Sequence, residues 1–276
     1  MINSLRICIF ILWLTPMLSA QESVSWFPYK LNIQPFTANF LEPKAGFNFA
    51  ISKSNLRLDV GTSTDFFQFK DGDNIFSAGA DLFTYTRLRQ ESDFHFPVET
   101  IDYLFGVNFG FVKNSGCYSY GLRFRLSHIS AHLVDGSFDS GKNDWRESRD
   151  PIVYSREFIE VFPFYEFDRL RGYFGITFIF HSTPRGFGKG IYQAGFDYFP
   201  ALLKIEIISP FIAYDFKLSK IEKYSANHII AAGIKFGEFD AKSFSLIYSY
   251  IAGKSIHGEY FNLNENYSTI GFNLDL

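Results

Sequence analysis

The chain is poor in cysteine and methionine, with two residues of each. Cys8 lies among the first twenty residues, so beyond them only Cys117 remains and no internal disulfide can form. Stability must come from backbone pairing and packing. No run of about 18 apolar residues follows residue 20, which excludes a helical membrane protein. Mean hydropathy is only −0.01. No long basic run is present, so nothing suggests a nucleic-acid partner or a polybasic membrane patch.

What the chain does have points elsewhere. It holds 35 phenylalanines and 16 tyrosines, which with tryptophan bring the aromatic share to 20 %, and β-formers outweigh strong helix formers. Residues 1–20 read as a secretory signal: Arg6 is the positive start, Ile7 to Leu14 the short apolar core, and Leu18-Ser19-Ala20 the small-residue cleavage site. After its removal 25 basic residues face 29 acidic ones, a net charge of −4. Residues 21–43, with Pro28, Pro35 and Pro43, read as an irregular N-terminal segment on the periplasmic side. A single domain, residues 44–276, follows.

Within it, period-two alternation recurs twelve times. Ile101, Tyr103, Phe105, Val107, Phe109 and Phe111 share one face, opposed by Asp102, Gly106, Asn108 and Gly110. Phe244, Leu246, Tyr248 and Tyr250 oppose Ser243, Ser245 and Ser249. The last segment places Ile270, Phe272, Leu274 and Leu276 against Gly271, Asn273 and Asp275. An all-β soluble protein and a transmembrane β-barrel both alternate. Two features favour the barrel. One face is aromatic-rich over segments of about 10 residues, and the other is read as polar or Gly throughout. The connections also alternate in length. Those at residues 71–74, 114–116, 168–171, 200–204 and 238–241 are short, whereas those at 90–99, 133–151, 184–190, 220–226 and 254–266 are long; only 52–55 departs from the pattern. The expectation is a single 12-stranded antiparallel outer-membrane β-barrel of a Gram-negative bacterium. Outer-membrane lipid is its expected surroundings, and its oligomeric state is not legible.

The fifth and sixth segments, from Tyr118 to Phe167, carry the polar groups of interest. Tyr118, Tyr120, Leu122, Phe124 and Leu126 take the outward face, which then continues into His128, Ser130 and His132. On the return, Glu157 shares parity with Ile159. An ionisable group on a lipid-facing wall is a functional-site candidate. The i, i+2 spacing puts His128 and Ser130 on one face about 7 Å apart. A serine nucleophile needs such a base, and the base needs an orienting acid. The bland alternative is a set of solvated residues at a loop base. On the inward face, Arg123, Arg125, Arg156, Glu160 and Glu166 suggest either a paired side-chain plug or a selectivity filter. His181, His228 and His257 show no metal-ligand spacing. Gly186, Gly188 and Gly190 lie in a loop, not between a strand and a helix, so they form no nucleotide fingerprint.

His128-x-Ser130 followed by Ser155-Arg156 resembles outer-membrane phospholipase A, over some thirty residues. That resemblance implies a Ser nucleophile and His base on the barrel's outer wall, aided by Asn and calcium. Its Asn position falls on Ile159, which cannot orient a histidine, and Glu157 is the conjectured substitute. The chain also resembles DUF1207, a bacterial family without an assigned activity. The segments that carry this are residues 125–135 (Arg-Leu-Ser-His-Ile-Ser-Ala-His-Leu-Val-Asp), residues 154–158 (Tyr-Ser-Arg-Glu-Phe), Gly258-Glu259-Tyr260-Phe261 and the terminal strand. This resemblance implies an exported barrel and carries no reaction. Three functions stay open: a nonenzymatic envelope barrel with a filled lumen, a lipid-acting serine hydrolase using Ser130, His128 and Glu157, and a narrow solute channel.

Overall fold

The computed structural model describes residues 22–42, 45–51, 53–200, 207–221, 223–237 and 243–275. Residues 1–20, read as a signal, and the turn expected at 238–241 lie outside the described residues. Strand β1 (Glu22–Trp26) is followed by twelve wall strands interrupted by one small hairpin. The wall strands are β2 (Ala45–Ala50), β3 (Asn55–Asp71), β4 (Asn74–Arg89), β5 (Val98–Ser115), β6 (Tyr118–Leu133), β9 (Tyr154–Phe167), β10 (Leu170–Thr183), β11 (Phe187–Tyr198), β12 (Ile208–Ile221), β13 (Lys223–Gly237), β14 (Ser243–Lys254) and β15 (Asn264–Asp275). The hairpin, β7 (Phe138–Asp139) and β8 (Asp144–Trp145), sits in the long connection after β6. Each wall strand pairs antiparallel with its neighbours, and pairing of β15 with β2 closes the ring. The expected twelve-stranded antiparallel barrel is what forms. Closure gives the backbone donors and acceptors of the wall strands partners across the ring.

The alternation decides which side chains face out. Phe105, Phe109, Phe178 and Phe180 are each about half exposed on the outer surface. Inside lie Arg125, Glu160 and Asp102, each at most 2 % exposed. Two stacked sheets would have buried those rings between them; this wall turns them outward.

One end of the barrel is made of tight turns. Asp168 and Arg169 join β9 to β10, both at positive φ, as a type I′ hairpin requires. Between β5 and β6 only the first turn residue, Gly116, has positive φ, at 66. The opposite, loop end departs from expectation in two places. β12 and β13 pair up to Ile221 and Lys223, and β11 starts at Phe187. The segments 220–226 and 184–190 are therefore largely strand. Their polar residues end the apolar pattern, but backbone pairing does not depend on side-chain polarity, so the strands continue. At the turn end, the connection read as 200–204 runs from Phe199 to Ile207, with residues 201–206 outside the described set.

The stretch 21–43 does more than lead into the wall. β1 adds to the turn end of β3, pairing Glu22 with Asp71 and Trp26 with Phe67. The chain then enters the barrel. Asn32 donates its backbone N–H to Asp65 Oδ2 at 2.7 Å. Phe36 is fully buried, its ring stacked 3.8 Å from that of Tyr173 and 5.3 Å from that of Phe162. Leu41 joins a second inner cluster with Phe83, Leu104, Ile129 and Phe158, and Ala38 a third with Phe211, Ile229 and Ile247. The inward face is thus not uniformly polar. It carries apolar side chains where this internal plug needs surfaces to pack on.

Candidate functional site

Two polar constellations stand out, one inside the wall and one outside. The inner one is built on adjacent β6 and β9. Alternate residues of β6 point inward, which brings Arg123 and Arg125 into the lumen, and register pairing sets Arg125 opposite Glu160. Arg125 donates from Nε at 2.9 Å and from Nη2 at 2.5 Å to Glu160 Oε2. Thr177 Oγ1 donates to the other carboxylate oxygen at 3.0 Å. Arg123 forks onto Glu42 of the plug at 2.8 and 2.5 Å. Glu42 also receives the Phe36 N–H at 2.9 Å and Asn39 Nδ2 at 2.5 Å. Asp81 lies 3.8 Å from Arg125.

Three of the five expected lumen charges, Arg123, Arg125 and Glu160, therefore meet in one cluster. Arg156 and Glu166 do not join it. Arg156 lies toward the loop end, its guanidinium over the rings of Tyr154 and Phe187. Glu166 lines a recess of about 350 Å³ at the turn end beside Arg169 and Arg171. A strand is long compared with a side chain, so shared parity does not imply contact.

A second grip on the plug comes from β10 and β11. Arg171 donates to the carbonyls of Gln34 and Pro35 at 2.8 and 2.9 Å and to Asp197 Oδ2 from Nε at 3.0 Å. Asp197 in turn accepts the Thr37 N–H at 3.0 Å. The loop end is closed by the connection between β14 and β15. Its 3-10 turn, Gly258–Tyr260, is buried. Gly258 N–H donates to Asp102 Oδ2 at 2.7 Å, and Arg149 Nη1 donates to the Glu259 carbonyl at 2.7 Å. A Cβ at Gly258 would stand 2.5 Å from the Tyr154 ring, so only glycine lets the turn settle this deep. A pocket of about 120 Å³ remains between the plug and the wall around Arg57 and Lys235.

The outer constellation lies at the loop-end edge of the apolar band. His128 Nδ1–H donates to Glu157 Oε1 at 2.7 Å. Ser155 Oγ donates to the same oxygen at 3.1 Å. His181 Nδ1–H donates to Glu157 Oε2. Of the expected catalytic residues, His128 and Glu157 are thus in contact. Ser130 lies on the same outward face, opposite Tyr103 of β5 and Ser155 of β9. His128 uses Nδ1 on Glu157, and among the described residues no hydrogen bond joins Ser130 to His128 or to Glu157. Glu157 is hydrogen-bonded to His128, while Ile159 sits one row deeper in the apolar band opposite Leu126.

His181, weighed in the sequence only for metal-ligand spacing, was not placed beside Glu157, for a physical reason. Strict alternation from Phe178 and Phe180 would turn it inward. A register shift between Ile179 and His181 breaks that alternation and turns it out beside Glu157, as β-bulges do when they re-aim a side chain. Nothing in the string Phe180-His181-Ser182 announces such a bulge. Among the described residues, no group of three His, Cys, Asp or Glu is arranged to hold a metal ion.

A family model described as "Protein of unknown function (DUF1207)" matches residues 97–275. The chain belongs to the DUF1207 family. The match begins just before β5 and runs through β15, so this DUF1207 region contains the residues of the outer cluster but not the plug. No curated protein matches the chain.

Proposed function

We propose that this DUF1207 protein is an integral outer-membrane barrel of a Gram-negative envelope, exported by its N-terminal signal and serving there as a closed, nonenzymatic wall. The observation that carries this reading is the plug: Glu42 is locked to Arg123 in the middle of a lumen that Phe36, Leu41 and the Gly258–Tyr260 turn occupy from both sides. The outward aromatic band supports the membrane setting, since a band of this kind suits acyl chains. The narrow-channel reading loses support, because Arg123, Arg125 and Glu160 are held in buried pairs rather than facing an aqueous path. In planar bilayers the protein is expected to give no steady conductance, and Arg125→Ala to introduce intermittent openings. A stable, ion-selective conductance from the unaltered protein would overturn the closed-wall reading.

One observation favours a second reading, a lipid-acting serine hydrolase on the outer wall. His128 is held by an acid at 2.7 Å on the same face as Ser130, the order of groups that a nucleophile, base and orienting acid require. Covalent labelling of Ser130 by a fluorophosphonate in detergent, lost in Ser130→Ala, is the expected result on this reading. The phospholipase resemblance would add calcium, so the labelling is run with and without it. No labelling under either condition ends the hydrolase reading.

A further inference from the structure

Register pairing lines up the outward residues of β6, β9 and β10 in rows. Phe124, Val161 and Ile176 form one row, and Leu126, Ile159 and Phe178 the next toward the loop end. Both are apolar. The following row is His128, Glu157 and His181, and the one beyond it is Ser130, Ser155 and Thr183. The change from apolar to polar is abrupt. It puts two imidazoles and three hydroxyls on a patch about 10 Å wide and two rows deep. Glu157 does not offer itself to a ligand: Oε1 is taken by His128 and Ser155, and Oε2 by His181. Its effect is to hold both rings by Nδ1, so that each Nε2 is the free ring atom. A ring that carries its second proton at Nε2 donates it to an anion, and the hydroxyls of Ser130, Ser155 and Thr183 stand in the next row beside it.

We propose that this patch binds the headgroup of a glycerophospholipid, the phosphate on the imidazole row and the headgroup hydroxyls on the serine and threonine row. The acyl chains then lie along the two apolar rows beneath, which continue directly from the headgroup site. The polarity order along the wall matches that of the lipid along its own length. The bulge at His181 gives an independent reason to see a built site. Without it His181 would turn into the lumen, and the patch would have one imidazole instead of two. The proposal requires no bond cleavage and is separate from the hydrolase reading, but it rests on the membrane-inserted reading above.

The test uses the full mature chain. Resistance of the vesicle-bound protein to a carbonate wash is measured first, because failure to insert overturns the reading beneath the proposal. Binding is then measured by native mass spectrometry in detergent, with phosphatidylglycerol, a diacylglycerol of the same chains, and inorganic phosphate as probes. Phosphatidylglycerol is expected to bind, and His181→Ala and His128→Ala each to weaken it about tenfold, as loss of a hydrogen bond to a charged group implies. His228→Ala serves as control, since His228 is an outer-wall histidine bonded to Tyr214 at 2.8 Å and away from the patch. Its affinity is expected to stay within about twofold of the unaltered protein, the range of surface substitutions. The lipid site is overturned by full affinity in both patch variants, by equal loss in His228→Ala, by diacylglycerol binding as tightly as phosphatidylglycerol, or by inorganic phosphate doing so. His181 is exposed, so His181→Ala leaves the folded wall intact, and a heat-modifiable gel shift checks this.

Discussion

Replacing Glu42 by alanine tests how the plug is held. The carboxylate receives four donors: two from Arg123, one from the Phe36 amide and one from Asn39. The Arg123 side chain is 7 % exposed and that of Glu42 1 %. Removing Glu42 leaves a buried guanidinium without its partner and an amide without its acceptor. Breaking such a pair from one side costs about 3–5 kcal/mol. The Phe36 amide puts Glu42→Ala toward the upper end, because an orphaned buried donor adds about 1–3 kcal/mol of its own. Glu42→Gln keeps an oxygen for that amide and loses less. The double variant Glu42→Ala/Arg123→Ala removes the stranded charge as well, so its loss should be smaller than the sum of the two single losses. Equilibrium unfolding of the detergent-solubilised barrel in urea, extrapolated linearly, gives the value for each variant, Arg123→Ala included. A change below about 1 kcal/mol for Glu42→Ala, or strict additivity in the double variant, would refute the view that this pair anchors the plug. Bilayer recordings on the same proteins then report whether releasing the plug opens the lumen.

Other tests follow from packing and charge. A Cβ at Gly175 would lie 2.1 Å from the fully buried Phe162 ring, whereas at Gly172, on the outer face of the same strand, it would meet nothing within 4 Å. Gly175→Ala should cost about 1–3 kcal/mol by overpacking, and Gly172→Ala should be close to neutral, both read as unfolding midpoints. Glu259 lies in the closing turn at the loop end, outside the strands, with Asp102 and Arg149 as its charged neighbours. Burial raises its carboxyl above the ordinary value of 4.5, against the lowering effect of the Ile152 amide. The closed turn therefore holds a proton that the open turn releases. Its contribution to closure is full below about pH 4.5 and is lost as pH rises through the raised value. Hydrogen exchange at residues 255–261 should speed up from pH 4 to pH 7 beyond its intrinsic rate change, and Glu259→Gln should remove that excess. Equal excess in both proteins would count against Glu259 as the titrating group.

The wall was legible because its signal is local. A strand needs only alternate side chains of like kind, and Ile101 to Phe111 or Phe244 to Tyr250 show that directly. The faces of Arg123, Arg125, Glu160, His128, Ser130 and Glu157 followed from the same period. The long polar stretch 220–226 misled for the converse reason: its residues lack an apolar face, yet Ser219 still pairs with Ser225 and Lys220 with Tyr224. Backbone hydrogen bonds do not require greasy side chains.

Sequence alone therefore determined the number of wall strands, their antiparallel order and the side from which residues in unbroken alternation project. All three are set by a two-residue period and by turns a few residues long. The tertiary structure alone decided that residues 32–42 fold back into the barrel, that Glu42 sits between Arg123 and Arg125, and that a bulge brings His181 to Glu157. Those include contacts between residues from 24 to 160 positions apart. No local period records them, because they depend on where closure of the ring places one strand against another and how much space it leaves inside.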